Sequence, residues 1–307
     1  VNSERQDLRD QFKEALVSMG LNQSKASMLK ELYLPVADWV VKRSKREDAP
    51  FVLGVNGAQG AGKTTFCSLL STVLERGFDA SVVHLSIDDL YRTRAERMRL
   101  AEEVHPLCAI RGVPGTHDVT MGVALLDALE TAGAEGEVVI PRFDKALDDR
   151  LPEEAWDIAH GTPDIVLVEG WCVGAQPGPV WDGPINNRES RDDPDGRWYT
   201  WSNTALGEDY PALFERLDAL LMIRVPSMET VRQSRWLQEE KLWAQVRAEG
   251  SERDAPGLMS RDEVLDYVAL FERQTEQMLR ELPGRADVLI ERSDAFDFRL
   301  EAPSGRP

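Results

Sequence analysis

Between Phe51 and Thr65 an apolar run, a glycine-rich turn and the start of an apolar-faced helix follow one another without a break. Gly57-Ala58-Gln59-Gly60-Ala61-Gly62-Lys63-Thr64 fits the spacing G-x-x-x-x-G-K-[ST]. Glycines at those places let backbone N–H groups converge on phosphate oxygens that a side chain would hold off. In that reading Lys63 reaches the outer phosphates, the Thr64 hydroxyl holds Mg²⁺, and Thr65 carries the loop into a helix whose positive end faces the same anion. The pattern also occurs by chance, as a flexible Gly/Ala turn with a surface lysine. Its context here is specific: a strand over Val52–Val55 precedes it, and Phe66, Leu69, Leu70, Val73 and Leu74 recur behind it at helical spacing.

A chain of 307 residues is long enough for one large α/β domain or two modest ones. Its 54 acidic residues outnumber 36 Lys and Arg, giving a net charge of −18. That balance argues against nucleic acid or an anionic membrane as partner, since both call for a basic face. It also requires any phosphate site to be a local basic pocket set against an unfavourable overall field. Cys67, Cys108 and Cys172 have neither C-x-x-C nor metal-ligand spacing, which fits buried thiols in a reducing, cytoplasmic setting. The beginning of the sequence is charged from Glu4 onward, unlike a signal peptide, and no run of 18 apolar residues occurs.

Residues 1–48 read as an N-terminal helical extension, with Leu8, Phe12, Leu16 and Met19 at helical spacing and a charged linker over Lys42–Asp48. Residues 49–307 read as the main domain. Strands are expected at Val52–Val55, Ser81–Leu85, Val138–Ile140, Ile165–Val168, Ala219–Val225 and Val288–Ile290. Helices are expected over 63–76, 94–103, 119–131, 209–216, 227–248 and 261–280. Alternating strands and helices, several strands being continuous apolar runs, predict a three-layer α/β fold of the P-loop NTPase kind with a mainly parallel sheet. Residues 174–208, rich in Gly, Pro, Asn and Asp, read as a long irregular loop beside the site.

A phosphoryl transferase needs a metal-holding carboxylate, a group to orient the acceptor hydroxyl, and cations for the moving charge. Each has a candidate near a strand end, where ligands of open α/β sheets sit. Asp88 and Asp89 follow the apolar run that ends at Leu85, with Tyr91 just beyond; adjacent acids there suit a cation or proton transfer, the alternative being a helix cap. Glu169 ends the run Ile165–Val168 and is placed, with Thr64 and Asp88, around Mg²⁺. Arg111, His117, Arg142, Lys145 and Arg150 crowd loops held by Gly112, Pro114 and Gly115, and are expected to grip a small anionic substrate; a solvated charge run and a structural histidine are the competing assignments. Arg232 and Arg235 share one helical face, with Arg224 before them, and suit a lid over nucleotide phosphates or simply an exposed amphipathic helix.

Taken in order, Gly57–Thr65, Ser86-Ile87-Asp88-Asp89-Leu90-Tyr91, Arg111-Gly112-x-Pro114-Gly115-Thr116-His117-Asp118, Pro141-Arg142-Phe143-Asp144-Lys145, Val168-Glu169-Gly170-Trp171 and Arg235-Trp236-Leu237-Gln238 resemble the D-glycerate 3-kinase family of plants and fungi. Gly257-Leu258-Met259-Ser260-x-x-Glu263-Val264 is similar to its C-terminal segment. The family belongs to the phosphoribulokinase/uridine kinase group, and the resemblance spans about residues 50–290. It implies ATP- and Mg²⁺-dependent phosphorylation of D-glycerate at its 3-hydroxyl. Asp88 then faces the acceptor hydroxyl, Glu169 is the metal-site acid, and Arg232 and Arg235 are lid arginines, with Lys63, Asp88 and Arg235 as the catalytic set. The chain departs from the family in the three residues between Lys145 and Asp149-Arg150, where relatives carry a longer segment, and over 176–202. Other kinases of the group, acting on nucleosides, pantothenate or other hydroxy acids, and a GTPase-type switch are the alternatives. Against the switch, no asparagine precedes a lysine, so the guanine-reading N-K-x-D is absent, and D-x-x-G occurs only at Asp193–Gly196 and Asp254–Gly257.

Overall fold

The computed structural model describes residues 2–44, 49–248 and 258–301. Two helices, α1 (Asn2–Ser18) and α2 (Leu34–Arg43), come first. Then β1 (Phe51–Gly57) runs fully buried into the glycine loop, and α3 (Lys63–Phe78) leaves it. The chain continues through β2 (Val82–Ser86), α4 (Arg94–Glu103) and α5 (Val119–Thr131). Next come β3 (Glu137–Ile140), β4 (Phe143–Asp144), β5 (Asp149–Arg150), β6 (Asp157–His160) and β7 (Ile165–Gly170). The rest is α6 (Asn187–Asp192), α7 (Arg197–Glu208), α8 (Pro211–Phe214), β8 (Ala219–Arg224), α9 (Met228–Ala248), α10 (Arg261–Ala269), α11 (Glu272–Glu281), β9 (Val288–Arg292) and β10 (Phe298–Leu300).

The central sheet has the order β10-β9-β8-β1-β7-β2, parallel except for the edge strand β10. β1 is flanked by β7 and β8, so the glycine loop leaves the sheet between two other strand ends. Alternate residues of these strands feed two cores. Leu53, Val55, Leu167, Leu221 and Ile290 pack with α3, α1 and α2; Val52, Val166, Val168 and Met222 pack with α5, α7 and α11. The mainly parallel three-layer architecture is the one expected from the alternation. The N-terminal helices share the first core: Phe12, Leu16, Leu32 and Tyr33 are buried there, and the Tyr33 ring stacks on Phe66 of α3 at 5.3 Å. Gly77 of α3 is what lets α1 approach, since a Cβ there would meet Leu8 Cδ2 at 2.9 Å. The boundary at residue 48 expected between extension and domain falls among residues 45–48, outside those described.

Three local expectations are revised. The segment 174–208 is largely structured. Buried Asp193 accepts the backbone N–H groups of Trp198 and Tyr199, each at 2.9 Å, and Gly196 at φ +70° turns the chain into α7. The helix expected over 261–280 breaks at Leu270–Phe271. There the Phe271 N–H turns back to Val268 O at 3.0 Å and its ring packs edge-on to Trp171 at 5.3 Å. Val138–Ile140 does form a strand, β3, but pairs antiparallel with β6 outside the central sheet. Beside it β4 and β5 make a small hairpin with Lys145 in its turn. No helix among the described residues is long and apolar enough to cross a membrane.

Candidate active site

The glycine loop takes the shape its sequence demands. Gly60 and Gly62 have φ of +73° and +91°, and a Cβ on Gly60 would lie 2.6 Å from Ser234 Cβ on α9. Gly57, Ala58 and Ala61 form the loop's buried underside, while Gln59, Gly60, Gly62, Lys63, Thr64 and Thr65 face an open cleft of about 350 Å³. The Lys63 ammonium makes one long hydrogen bond, to Ala58 O at 3.3 Å. The Thr64 hydroxyl donates to Glu169 Oε1 at 2.6 Å. Glu169 is 3% exposed and lies in register between Val55 of β1 and Ser86 of β2. Gly170 makes the adjoining turn possible, because a Cβ there would fall 2.2 Å from Ile87 Cγ2.

Across the cleft, a short 3-10 turn after β2 presents Asp88, with Ser86 Oγ capping its N–H at 3.3 Å. Both carboxylate oxygens are engaged: Oδ1 accepts the Tyr91 hydroxyl at 2.9 Å, and Oδ2 meets Lys145 Nζ at 2.6 Å. Burial favours the neutral acid. The Lys145 ammonium, with Lys63 behind it, outweighs burial and holds the carboxyl below its ordinary range. Arg111 also lines the cleft, paired with Asp148 and donating to Lys145 O at 3.2 Å. Arg235 enters from α9, held by buried Glu239 at 2.9 Å. A triphosphate-sized cleft thus carries three cationic side chains besides Lys63 and two carboxylates, inside a chain that is acidic overall.

No family model matches the chain. An uncharacterized kinase of Schizosaccharomyces pombe is 35% identical over 240 residues, covering 76% of this chain and 82% of that one. The chloroplastic D-glycerate 3-kinase of Arabidopsis thaliana is 28% identical over 255 residues, covering 78% of this chain and 52% of the plant protein, so the chain spans about half that relative. The solved D-glycerate 3-kinase of Cryptococcus neoformans superposes with a TM-score of 0.65 at 21% identity, covering 88% of this chain and 99% of that one. The chain belongs to the D-glycerate 3-kinase family of P-loop kinases.

Within this kinase the expected site residues separate into two groups. Lys63, Thr64, Asp88, Tyr91, Arg111, Lys145, Glu169 and Arg235 come together on the cleft. Asp89, His117, Arg142, Arg150 and Arg232 are not on its wall. Asp89 turns away to accept Arg142 Nη1 at 2.7 Å and the Phe143 N–H at 3.1 Å; burial lifts its carboxyl above the ordinary range. Arg142 is shared between Asp89 and Asp157. Arg150 donates to Tyr91 O at 2.8 Å, and Arg232 pairs with Glu272. These are tethers: Asp89, Arg142 and Arg150 fix the hairpin and the turn that carry Lys145 and Asp88, and Arg232 ties α9 to α11.

His117 is 1% exposed, stacked on Tyr91 at 4.6 Å, with Nδ1 2.5 Å from the Tyr210 hydroxyl. Burial depresses its pKa from 6.5 to about 4, Asp88 opposing the shift and Arg92 adding to it. The folded state therefore holds His117 neutral while the unfolded chain protonates it. Its contribution to stability is intact above pH 6.5 and is lost as pH falls toward 4, by about 3 kcal/mol in all. His117→Asn, which keeps an acceptor near Tyr210, is expected to flatten that part of the Tm-against-pH curve; an unchanged slope would remove His117 as its source.

Trp171, Gln238 and Tyr267 also line the cleft; the first two stand in motifs quoted from the sequence, and none of the three was expected to be a site residue. Trp171 Nε1 donates to Gly112 O at 2.7 Å, joining the Glu-Gly-Trp turn to the loop after Arg111. Gly112, at φ +130°, is admissible there only without a Cβ, which would press on Phe271 at 2.6 Å. Tyr267 shares a helix with the core residues Val264 and Val268; its hydroxyl was the one sign that its face ends at a polar cleft.

Proposed function

We propose that this kinase transfers the terminal phosphoryl group of ATP to the 3-hydroxyl of D-glycerate, giving 3-phospho-D-glycerate. The observation that carries the proposal is the pairing of Asp88 with Lys145, with Arg111 on the same wall, in the cleft that the phosphate loop opens onto. A small hydroxy acid matches that set. Its carboxylate would engage Arg111 and Lys145, bringing the far hydroxyl to Asp88.

Lys63 and Arg235 would neutralise the equatorial oxygens as charge moves off the transferred group, and Asp88 would orient the hydroxyl and take its proton late. Thr64 Oγ1 and Glu169 Oε1 are hard oxygen donors 2.6 Å apart, a set that suits Mg²⁺. Bound there, the ion would supply charge neutralisation at the outer phosphates. Trp171 and Tyr267 supply apolar wall that limits water. The family resemblance supports the acceptor, and the 28% identity to the plant enzyme supports it again.

The test is an ATP-consumption screen over D-glycerate, L-glycerate, pantothenate, nucleosides and other hydroxy acids, with the product located by ³¹P and ¹³C NMR. D-glycerate is expected to give the highest kcat/KM and a single 3-phosphorylated product. Turnover with pantothenate or a nucleoside but not with D-glycerate would replace the acceptor and leave a kinase.

A further inference from the structure

Both carboxylate oxygens of Asp88, the group proposed to orient the acceptor hydroxyl, are engaged before any acceptor arrives. Oδ1 holds the Tyr91 hydroxyl at 2.9 Å and Oδ2 holds Lys145 Nζ at 2.6 Å. The two partners differ in mobility. Tyr91 is buried, its ring stacked on His117 and edge-on to Phe143. The Lys145 side chain is 62% exposed. The backbone beneath it is pinned, because Asp144 Oδ1 accepts the N–H groups of Ala146 at 2.7 Å and Leu147 at 3.0 Å, and Arg111 donates to Lys145 O at 3.2 Å. The hairpin turn is therefore fixed while the ammonium at its tip is free to change partners.

Every kinase that opens to solvent faces water as a competing acceptor, smaller than any alcohol and always present. We propose that the Asp88–Lys145 ion pair is a catch that holds back ATP hydrolysis until an acidic acceptor draws Lys145 away. The proposal rests on the reading that ATP and a hydroxy acid meet in this cleft, and it goes further by giving Lys145 a role in choosing the acceptor. With the catch closed, a water beside the terminal phosphate finds the Asp88 charge held by Lys145, which makes the carboxylate a poorer base. An acceptor carboxylate offers Lys145 a second anion beside Arg111, and the exposed ammonium exchanges at little cost. Oδ2 is then free for the acceptor hydroxyl. A neutral alcohol brings no anion and leaves the catch closed.

Without the catch, the leak is ordinary hydrolysis. The water oxygen bonds to the terminal phosphorus as the bridging P–O bond breaks. ADP leaves with that electron pair, and the water proton passes to Asp88 and then to solvent, leaving ADP and inorganic phosphate.

ADP release with saturating Mg·ATP and no acceptor reads the catch directly. Lys145→Met is expected to raise it about tenfold or more, within the range a positioned base contributes. Lys145→Arg, which restores the pair, is expected to stay near the wild-type rate. Lys145→Met combined with Asp88→Asn is expected to fall back to that rate or below. Lys145 is an exposed turn residue, so folding is checked simply by unchanged Tm and unchanged Mg·ATP binding. In an enzyme that phosphorylates D-glycerate, D-lactate, the same acid without the 3-hydroxyl, is expected to stimulate hydrolysis by wild type and not by Lys145→Met. A Lys145→Met enzyme no leakier than wild type, a leak that survives loss of Asp88, or a glycerate-phosphorylating wild type indifferent to D-lactate overturns the catch. Transfer to D-glycerate is measured separately on wild type: a leak in Lys145→Met beside a wild type that does not phosphorylate D-glycerate keeps the catch and discards the acceptor, and a wild type that phosphorylates it beside a Lys145→Met enzyme that does not leak keeps the acceptor and discards the catch.

Discussion

Lys63→Met is expected to lower kcat/KM for ATP by about 10³-fold, close to 4 kcal/mol of lost transition-state stabilisation. The size follows from position. Lys63 begins α3, just after two glycines whose left-handed backbone curls the loop, and among the described residues its ammonium makes a single long hydrogen bond, to Ala58 O at 3.3 Å. A cation so lightly engaged is available to phosphate oxygens. Arg111, Lys145 and Arg235 share the cleft, yet each already pairs with a carboxylate, of Asp148, Asp88 and Glu239 respectively. The amine also does little for the fold, so the variant is expected to melt within a few degrees of wild type. Steady-state kinetics together with a melting curve check both halves. Turnover close to wild type in a folded Lys63→Met protein would dissociate the glycine loop from the chemistry.

The loop and the residues that meet it on the cleft were readable in sequence for a common reason. Gly57, Gly60 and Gly170 are glycines because backbone or side chains crowd them, Gly62 because its φ is +91°, and Glu169 is an acid ending an apolar strand; such residues are improbable unless geometry requires them. Strand order was not readable. Nothing in the residues themselves says that β7 lies between β1 and β2, which is what brings Glu169 to Thr64. The arginines were the harder case. Arg111, Arg142 and Arg150 look alike in a basic loop, and only long-range partners separate them: Asp148, Asp89 with Asp157, and Tyr91 O. An arginine written in sequence is a charge without an address. The helix α7 was hidden similarly, since the capping carboxylate of Asp193 sits in a stretch whose Pro, Gly and Asp content reads as loop. His117 shows the opposite error. Its acidic and cationic sequence neighbours suggested a substrate contact, whereas Tyr91, Tyr210 and burial make it part of the wall behind Asp88.

Asp88→Asn is expected to reduce kcat for acceptor phosphorylation by about 10²- to 10⁴-fold, the range for a positioned base, while KM for ATP stays near wild type. The amide fits the same space and keeps an oxygen for the Tyr91 hydroxyl, so the turn after β2 retains its shape. What disappears is the charge opposite Lys145. An acidic acceptor then no longer competes with an internal anion for that ammonium, and its KM is expected to stay level or fall as kcat collapses. Opposite movement of the two constants separates this role from simple substrate binding, for which KM would rise. It also separates it from metal binding. Were Asp88 needed to hold Mg²⁺, the half-saturating Mg²⁺ concentration would climb in the variant. With Thr64 and Glu169 as the holding pair it should not move, and Glu169→Gln should shift it instead. A kcat within about threefold of wild type would leave acceptor activation to some other group, because so small a change lies far below what a positioned base supplies.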